Sequence, residues 1–211
     1  MRSHVDDKHA INRNGDSPLS VAAFFGHDSI VAQLLDHQSS ARSRWLANAA
    51  LDFVRANEDN YTPLMLASAG GHAAVVRRLL QFRHKRFKIL EHLEHTFDVG
   101  QTAVSLAAHY GHVQVVQLLA KAGANLDLAD QLQRTPLLLA VERGDVQVVQ
   151  ILAEAGANLD LADQLHRTPL LLAVERGDIR MVDVLFVLGA SCVEWHMQKI
   201  GCLCCSACCE C

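Results

Sequence analysis

The residues best equipped for chemistry crowd the C-terminus. Six of the seven cysteines, Cys202, Cys204, Cys205, Cys208, Cys209 and Cys211, fall within the last ten residues, and only Cys192 lies upstream. Thiolates in mixed Cys-Cys and Cys-x-Cys spacing can collect soft metal ions. The same thiols, beside Ile200 and Leu203, are also acceptors for palmitoyl groups. Cys204, Cys205, Cys208 and Cys209 are the candidate lipidation positions, and two acyl chains anchor a protein where one does not. A third reading gives the tail no function. A secreted disulfide framework would spread its cysteines through the fold, so the body of the chain reads as reduced. The other candidate is Glu91-His92-Leu93-Glu94-His95, where His92 and His95 would share one face of a helix. Their order does not match the His-Glu-x-x-His zinc helix, so the ordinary reading is a loop with two solvated histidines. The sequence contains no Gly-rich phosphate loop and no Gly-x-Ser-x-Gly elbow. No catalytic residue, metal site or cofactor is assigned, and the chain is read as a non-enzyme.

Composition narrows the class. Of 211 residues, 50% are apolar but only 5% aromatic, which suits small helices packed through Ala, Leu and Val. A net charge of −4 argues against general nucleic-acid binding. The polar start, Met1 to Lys8, offers no secretory signal. No run reaches the ~18 to 20 apolar residues of a membrane span. The expected setting is intracellular and cytoplasmic. Nuclear import through a basic stretch, or membrane association through an acylated tail, stays open.

The chain is organised as a repeat. Ser17-Pro18-Leu19, Thr62-Pro63-Leu64, Thr102-Ala103-Val104, Thr135-Pro136-Leu137 and Thr168-Pro169-Leu170 follow one another at intervals of 45, 40, 33 and 33 residues. Ala122–Asp145 and Ala155–Asp178 agree at 23 of 24 positions, differing only at Gln133 and His166. Each Ser or Thr can cap a helix, and Pro in the next position lacks the amide that would be orphaned there. A small-residue helix follows, ended by Gly26, Gly71, Gly111, Gly144 or Gly177. The next residue, His27, His72, His112, Asp145 or Asp178, is placed to start a second helix with apolar residues at helical spacing.

Helix, turn, helix and extended loop in this register resemble the ankyrin repeat family, over roughly residues 10 to 192. The resemblance implies an all-α solenoid of stacked helix-turn-helix units, with short β-hairpin-like fingers projecting sideways. A single such unit cannot bury its own apolar face, so about three or more must stack. The repeats are placed at about 12–37, 57–82, 97–129, 130–162 and 163–191, inside a domain spanning 1–192. Insertions fall near 38–52 and 83–93, and a Cys-rich tail covers 193–211. Two departures from the family pattern stand out. The histidine usual after Thr-Pro-Leu is replaced by Ser20, Met65, Ser105, Leu138 and Leu171. The finger glycine, present as Gly15 and Gly100, becomes Asn60, Gln133 and His166. Gln133 at a positive φ would carry strain on the order of 1 kcal/mol. The C-terminal half is therefore expected to be slightly irregular.

In the first insertion, Trp45, Leu46, Ala49, Ala50, Phe53 and Val54 form one helical stripe. The second carries Arg83-His84-Lys85-Arg86-Phe87-Lys88, preceded by Arg77-Arg78. This stretch reads either as a solvated basic face or as an import or phosphate-contacting patch. At the C-terminal end, the apolar last helix would be capped by Trp195 or completed by a partner.

The resemblance also implies where a partner protein would sit: on finger tips and at the ends of first helices, along the concave surface. The helix positions include Phe24, Phe25, His109, Tyr110, Glu142, Arg143, Glu175 and Arg176. The finger positions include Tyr61, Leu132, Arg134, Leu165 and Arg167. The reading is a protein-interaction scaffold or adaptor with no small-molecule substrate. The alternatives are a membrane-tethered adaptor lipidated on its tail, or a protein with a thiolate metal-binding tail.

Overall fold

The computed structural model describes residues 11–40, 55–81 and 100–191. Among the described residues there are ten α-helices and no strand. Their ranges are α1 Pro18–Phe24, α2 Asp28–Ser40, α3 Pro63–Ala69, α4 Ala73–Gln81 and α5 Ala103–Tyr110. The chain continues with α6 Val113–Lys121, α7 Pro136–Arg143, α8 Val146–Glu154, α9 Pro169–Glu175 and α10 Ile179–Val187. They form five hairpins. The first helices (α1, α3, α5, α7, α9) pack side by side in one row, and the second helices in another.

Local chemistry starts each first helix. Ser17, Thr62, Thr102, Thr135 and Thr168 adopt extended backbone, and each side chain accepts a hydrogen bond from the amide three residues on. Proline follows four of these caps, where a missing amide costs nothing. Thr102 is followed by Ala103 instead. There Ser105 closes a reciprocal capping box, its Oγ accepting from the Thr102 amide at 2.7 Å. Ser105 thus supplies a local polar bond where the family histidine is missing, whereas Met65 and Leu138 at the same frame position are packed into the core.

Between the rows, small residues let helices approach closely. Ala22, Ala67, Ala107, Ala140 and Ala173, each five residues after its cap, are at most 3% exposed. Val31, Val76, Val116 and Val149 occupy the matching position on the second helices and are wholly buried. One apolar cluster runs from Leu19 to Ala190. No hairpin holds a core of its own, so stability belongs to the stack.

The fingers differ from the expected hairpins. Each is a turn with one cross-finger backbone rung, Asn12 N–H to Asp16 O, Asn57 to Tyr61, Asp130 to Arg134 and Asp163 to Arg167, inside which the amide of Gly15, Asn60, Gln133 or His166 donates back to the carbonyl of Asn12, Asn57, Asp130 or Asp163. No ladder extends beyond that rung, because the next residue is already a helix cap. Helix α2, at 13 residues, outruns the nine of α4, α6, α8 and α10, so it continues to Ser40, into the region assigned to the first insertion. The Trp45 stripe, the basic run 83–88, the His92/His95 pair, Trp195 and the cysteine tail lie outside the described residues.

Candidate protein-interaction surface

The ends of the first helices form a line of exposed positions. Phe24 closes α1 and Phe25 caps it, exposed by 51% and 60%. Their rings meet edge to face at 5.1 Å, and Phe25 stacks on His27 at 5.9 Å. Two hairpins on, His109 and Tyr110 repeat the arrangement at the end of α5. Their rings also meet edge to face, at 5.0 Å, and Tyr110 stacks on His112 at 6.2 Å. Each aromatic pair is thus held by contact with its own turn histidine rather than by burial. Ala69 and Gly70 occupy the intervening hairpin and present almost no side chain.

Tyr61, on the second finger, is half-buried and packs against the core. Burial pushes its phenol above the usual range, and the neighbouring Tyr110 and Asp59 push it the same way. The fold therefore brings Tyr61 towards Tyr110. Phe24 and Phe25 sit at the end of the first helix, α1.

In the C-terminal half the finger tips Leu132 and Leu165 are exposed. Their arginines are committed within the chain. Asp130 Oδ1 accepts from the amides of Leu132 and Arg134 at 2.9 and 2.8 Å, and its Oδ2 takes the Arg134 guanidinium. Arg134 Nη1 then reaches Glu142 at 3.2 Å. Asp163, Arg167 and Glu175 repeat the motif, with the last pair looser at 3.8 Å. Burial pushes the Asp163 carboxyl up. The hydrogen bonds from the Arg167 side chain, then from the Arg167 and Leu165 amides, outweigh burial and hold it below the usual carboxylate range. This brace carries Gln133 and His166 at φ 59° and 58°, as Asn57 carries Asn60 at 61°. The two C-terminal fingers are accordingly alike, without the expected irregularity.

Neighbouring hairpins are stitched by side chains not assigned that role from sequence. His72 Nε2 lies 2.9 Å from the Phe24 carbonyl, and His112 Nε2 lies 2.9 Å from that of Ala69, so each Nε2 carries its proton. Arg143 does the same for His109, its Nη1 donating at 3.3 Å. Asp145 and Asp178, at the histidine position, instead cap α8 and α10 through the amides of Val148 and Met181. Arg78, read as part of a basic patch, is paired with Asp28 through two 2.7 Å bonds that hold the aspartate below the usual carboxylate range. The finger brace was discoverable in sequence. Asn12, Asn57, Asp130 and Asp163 each precede the positive-φ residue by three.

None of the described helices is long and apolar enough to cross a membrane. Among the described residues no cluster of three or more His, Cys, Asp or Glu is placed to hold a metal ion.

Comparison with known proteins matches the family model described as ankyrin repeats (3 copies) at four overlapping places, residues 2–89, 41–130, 82–164 and 123–194. The chain is 34% identical over 134 residues to the human ankyrin repeat and KH domain-containing protein 1. That match covers 60% of this chain and 4% of that protein. It is 27% identical over 126 residues to a Caenorhabditis elegans homolog of transient receptor potential cation channel subfamily A member 1, covering 60% of this chain and 9% of the channel. The chain thus spans a small fraction of these relatives. Ankyrin repeats are protein-interaction modules and generally non-catalytic. Capped hairpins, turn glycines, two helix rows and the family match agree: this chain belongs to the ankyrin repeat family.

Proposed function

We propose that the chain is a scaffold or adaptor that binds a partner protein along the line of first-helix ends and finger tips. The observation that carries this reading is the pair of exposed aromatic steps, Phe24-Phe25 and His109-Tyr110, in a chain otherwise poor in aromatics. Large rings held rigidly at a surface lose little entropy on binding and commonly anchor interfaces. Tyr61 lies between them in sequence, and Leu132 and Leu165 extend the apolar contacts towards the C-terminal end. The Glu142-Arg143 and Glu175-Arg176 pairs supply a polar continuation. The proposed setting is cytoplasmic.

The test is quantitative capture of partners by the full chain, by a Phe25→Ala/Tyr110→Ala variant, and by Lys121→Ala at the exposed end of α6. Loss of an anchor costs ~2 kcal/mol or more, about 30-fold in affinity. Partners held by this surface should drop from the double aromatic variant and stay on Lys121→Ala. Retention of every partner by a double variant with unchanged helical content would refute the proposed face.

A further inference from the structure

We propose that Arg143 is a positioning residue for partner binding: it holds the end of α5 from the following hairpin and so sets the Tyr110 ring. This rests on the reading of Tyr110 as an anchor of the interaction surface. The stitch between neighbouring hairpins changes hands along the stack. At the first two junctions the residue after the turn glycine makes it. His72 Nε2 lies 2.9 Å from the Phe24 carbonyl, and His112 Nε2 lies 2.9 Å from the Ala69 carbonyl. At the third junction that position holds Asp145, whose Oδ1 accepts from the Val148 amide at 3.2 Å and caps α8. A carboxylate has no proton to give a carbonyl. The donor comes instead from two residues earlier, where Arg143 Nη1 lies 3.3 Å from the His109 carbonyl.

The turn glycines show the same exchange independently. A Cβ on Gly71 would lie 2.5 Å from His112 Nδ1, and a Cβ on Gly111 would lie 2.5 Å from Arg143 Nε and 2.8 Å from Asp145 Oδ2. The guanidinium thus lies over Gly111 as the imidazole lies over Gly71. At the fourth junction neither group does so, since a Cβ on Gly144 would meet Asp178 Oδ2 at 3.7 Å and nothing closer. Arg176 follows the same Val-Glu pair as Arg143, yet it makes no bond to the Glu142 carbonyl among the described residues.

Two holds therefore meet at Tyr110. Its ring stacks on His112 at 6.2 Å, and His112 reaches back to Ala69 in the second hairpin. From the fourth hairpin, Arg143 fixes the carbonyl of His109, the residue whose ring meets Tyr110 edge to face at 5.0 Å. An exposed ring held from both sides loses less freedom when a partner covers it, which strengthens binding without any new contact.

A rescue in the full chain tests this. Arg143→Ala removes the stitch, and adding Asp145→His restores it in the form used at the first two junctions. Histidine is tolerated there, because His112 starts α6 without a side-chain cap. The chain has two tyrosines, so nuclear relaxation of labelled tyrosine rings reads Tyr110 beside Tyr61. Arg143→Ala should raise the mobility of the Tyr110 ring, the Arg143→Ala/Asp145→His chain should return it, and Arg176→Ala should leave it unchanged. Arg143→Lys, which keeps a donor of similar reach, should also hold the ring and keeps the test decisive if the double variant fails to fold. Partners that Phe25→Ala/Tyr110→Ala loses should bind Arg143→Ala about 2- to 10-fold more weakly, the worth of one hydrogen bond, and recover on the double variant. A contact made by the guanidinium itself would not recover, since no cation remains at position 143. Unchanged ring mobility in Arg143→Ala, or a ring that stays mobile in the double variant and in Arg143→Lys, overturns the proposal. So does an affinity that stays low once the ring is held again; Arg143 is then a contact residue and the interaction surface stands. Partners that all stay bound to Tyr110→Ala remove Tyr110 as an anchor, and the proposal falls with it whatever the ring does.

Discussion

Replacing Gly71 by alanine should damage the stack more than replacing Gly144, although both glycines occupy the same turn position. Gly71 has φ +73° and Gly144 has φ +82°, so either alanine carries the left-handed penalty of ~1–2 kcal/mol. Restricting the unfolded chain returns ~0.4–1 kcal/mol of that in both cases. The surroundings differ. A Cβ on Gly71 would lie 2.5 Å from Nδ1 and 2.9 Å from Cγ of His112, whereas on Gly144 its nearest neighbour is Asp178 Oδ2 at 3.7 Å, an ordinary contact. The His112 ring must leave, and with it goes the 2.9 Å bond to the Ala69 carbonyl. That bond is worth about 0.5–1.5 kcal/mol. The expected costs are therefore roughly 0.5–1.5 kcal/mol for Gly144→Ala and roughly 1–3 kcal/mol for Gly71→Ala. Urea unfolding followed by far-UV circular dichroism measures both. In a His112→Ala background the ring is already gone, and Gly71→Ala should then cost no more than Gly144→Ala, a coupling of about 1 kcal/mol. Equal costs for the two glycines, or strict additivity with His112→Ala, would refute the stitch.

Three further outcomes follow from the same geometry. Thr135→Ala removes the cap on the Leu138 amide and should cost ~0.5–2 kcal/mol in a denaturant titration, with Thr135→Ser recovering most of it. Leu119→Ala empties a fully buried position on α6 and should cost ~2–5 kcal/mol, read as a lowered urea midpoint. Asp163 has a folded pKa below its ordinary 3.8, so its contribution is fully present above that value and is lost as pH falls through the folded pKa. Urea midpoints measured downward from pH 5 should fall more steeply for the wild type than for Asp163→Asn, and parallel curves would contradict the brace.

The frame was legible because it rests on local chemistry. Thr-Pro starts a helix and glycine ends it whatever the neighbours are, so the first-helix caps and turn glycines lie where the sequence put them. What sequence did not reveal depends on contacts between hairpins. His72 and His112 follow the turn glycine as Asp145 and Asp178 do, and position alone assigns all four to helix starts. Only the aspartates cap; the imidazoles reach across to the preceding hairpin, because a ring nitrogen extends farther than a short carboxylate. Arg134 and Arg167 read as free contact residues until the fold places Asp130 and Asp163 beneath them. The expected hairpin fingers failed for a related reason. A helix cap directly after each turn leaves no room for a second rung.

The two positions seven and eight residues after each cap differ in chemistry from unit to unit while the frame stays the same. They hold Phe24-Phe25, Ala69-Gly70, His109-Tyr110, Glu142-Arg143 and Glu175-Arg176. Five residues after the cap every unit has a buried alanine, where close-packed helices leave little space for a larger side chain. At the seventh and eighth positions most side chains are exposed, with Glu142 and Arg143 also bonding within the stack. Even within the near-identical fourth and fifth units the environments diverge. Arg143 bonds the His109 carbonyl, whereas Arg176 is exposed and has no equivalent bond among the described residues. The buried positions therefore fix the architecture and spacing of the line of helix ends. The exposed pairs set its chemistry, apolar and aromatic towards the N-terminal side and charged towards the C-terminal side.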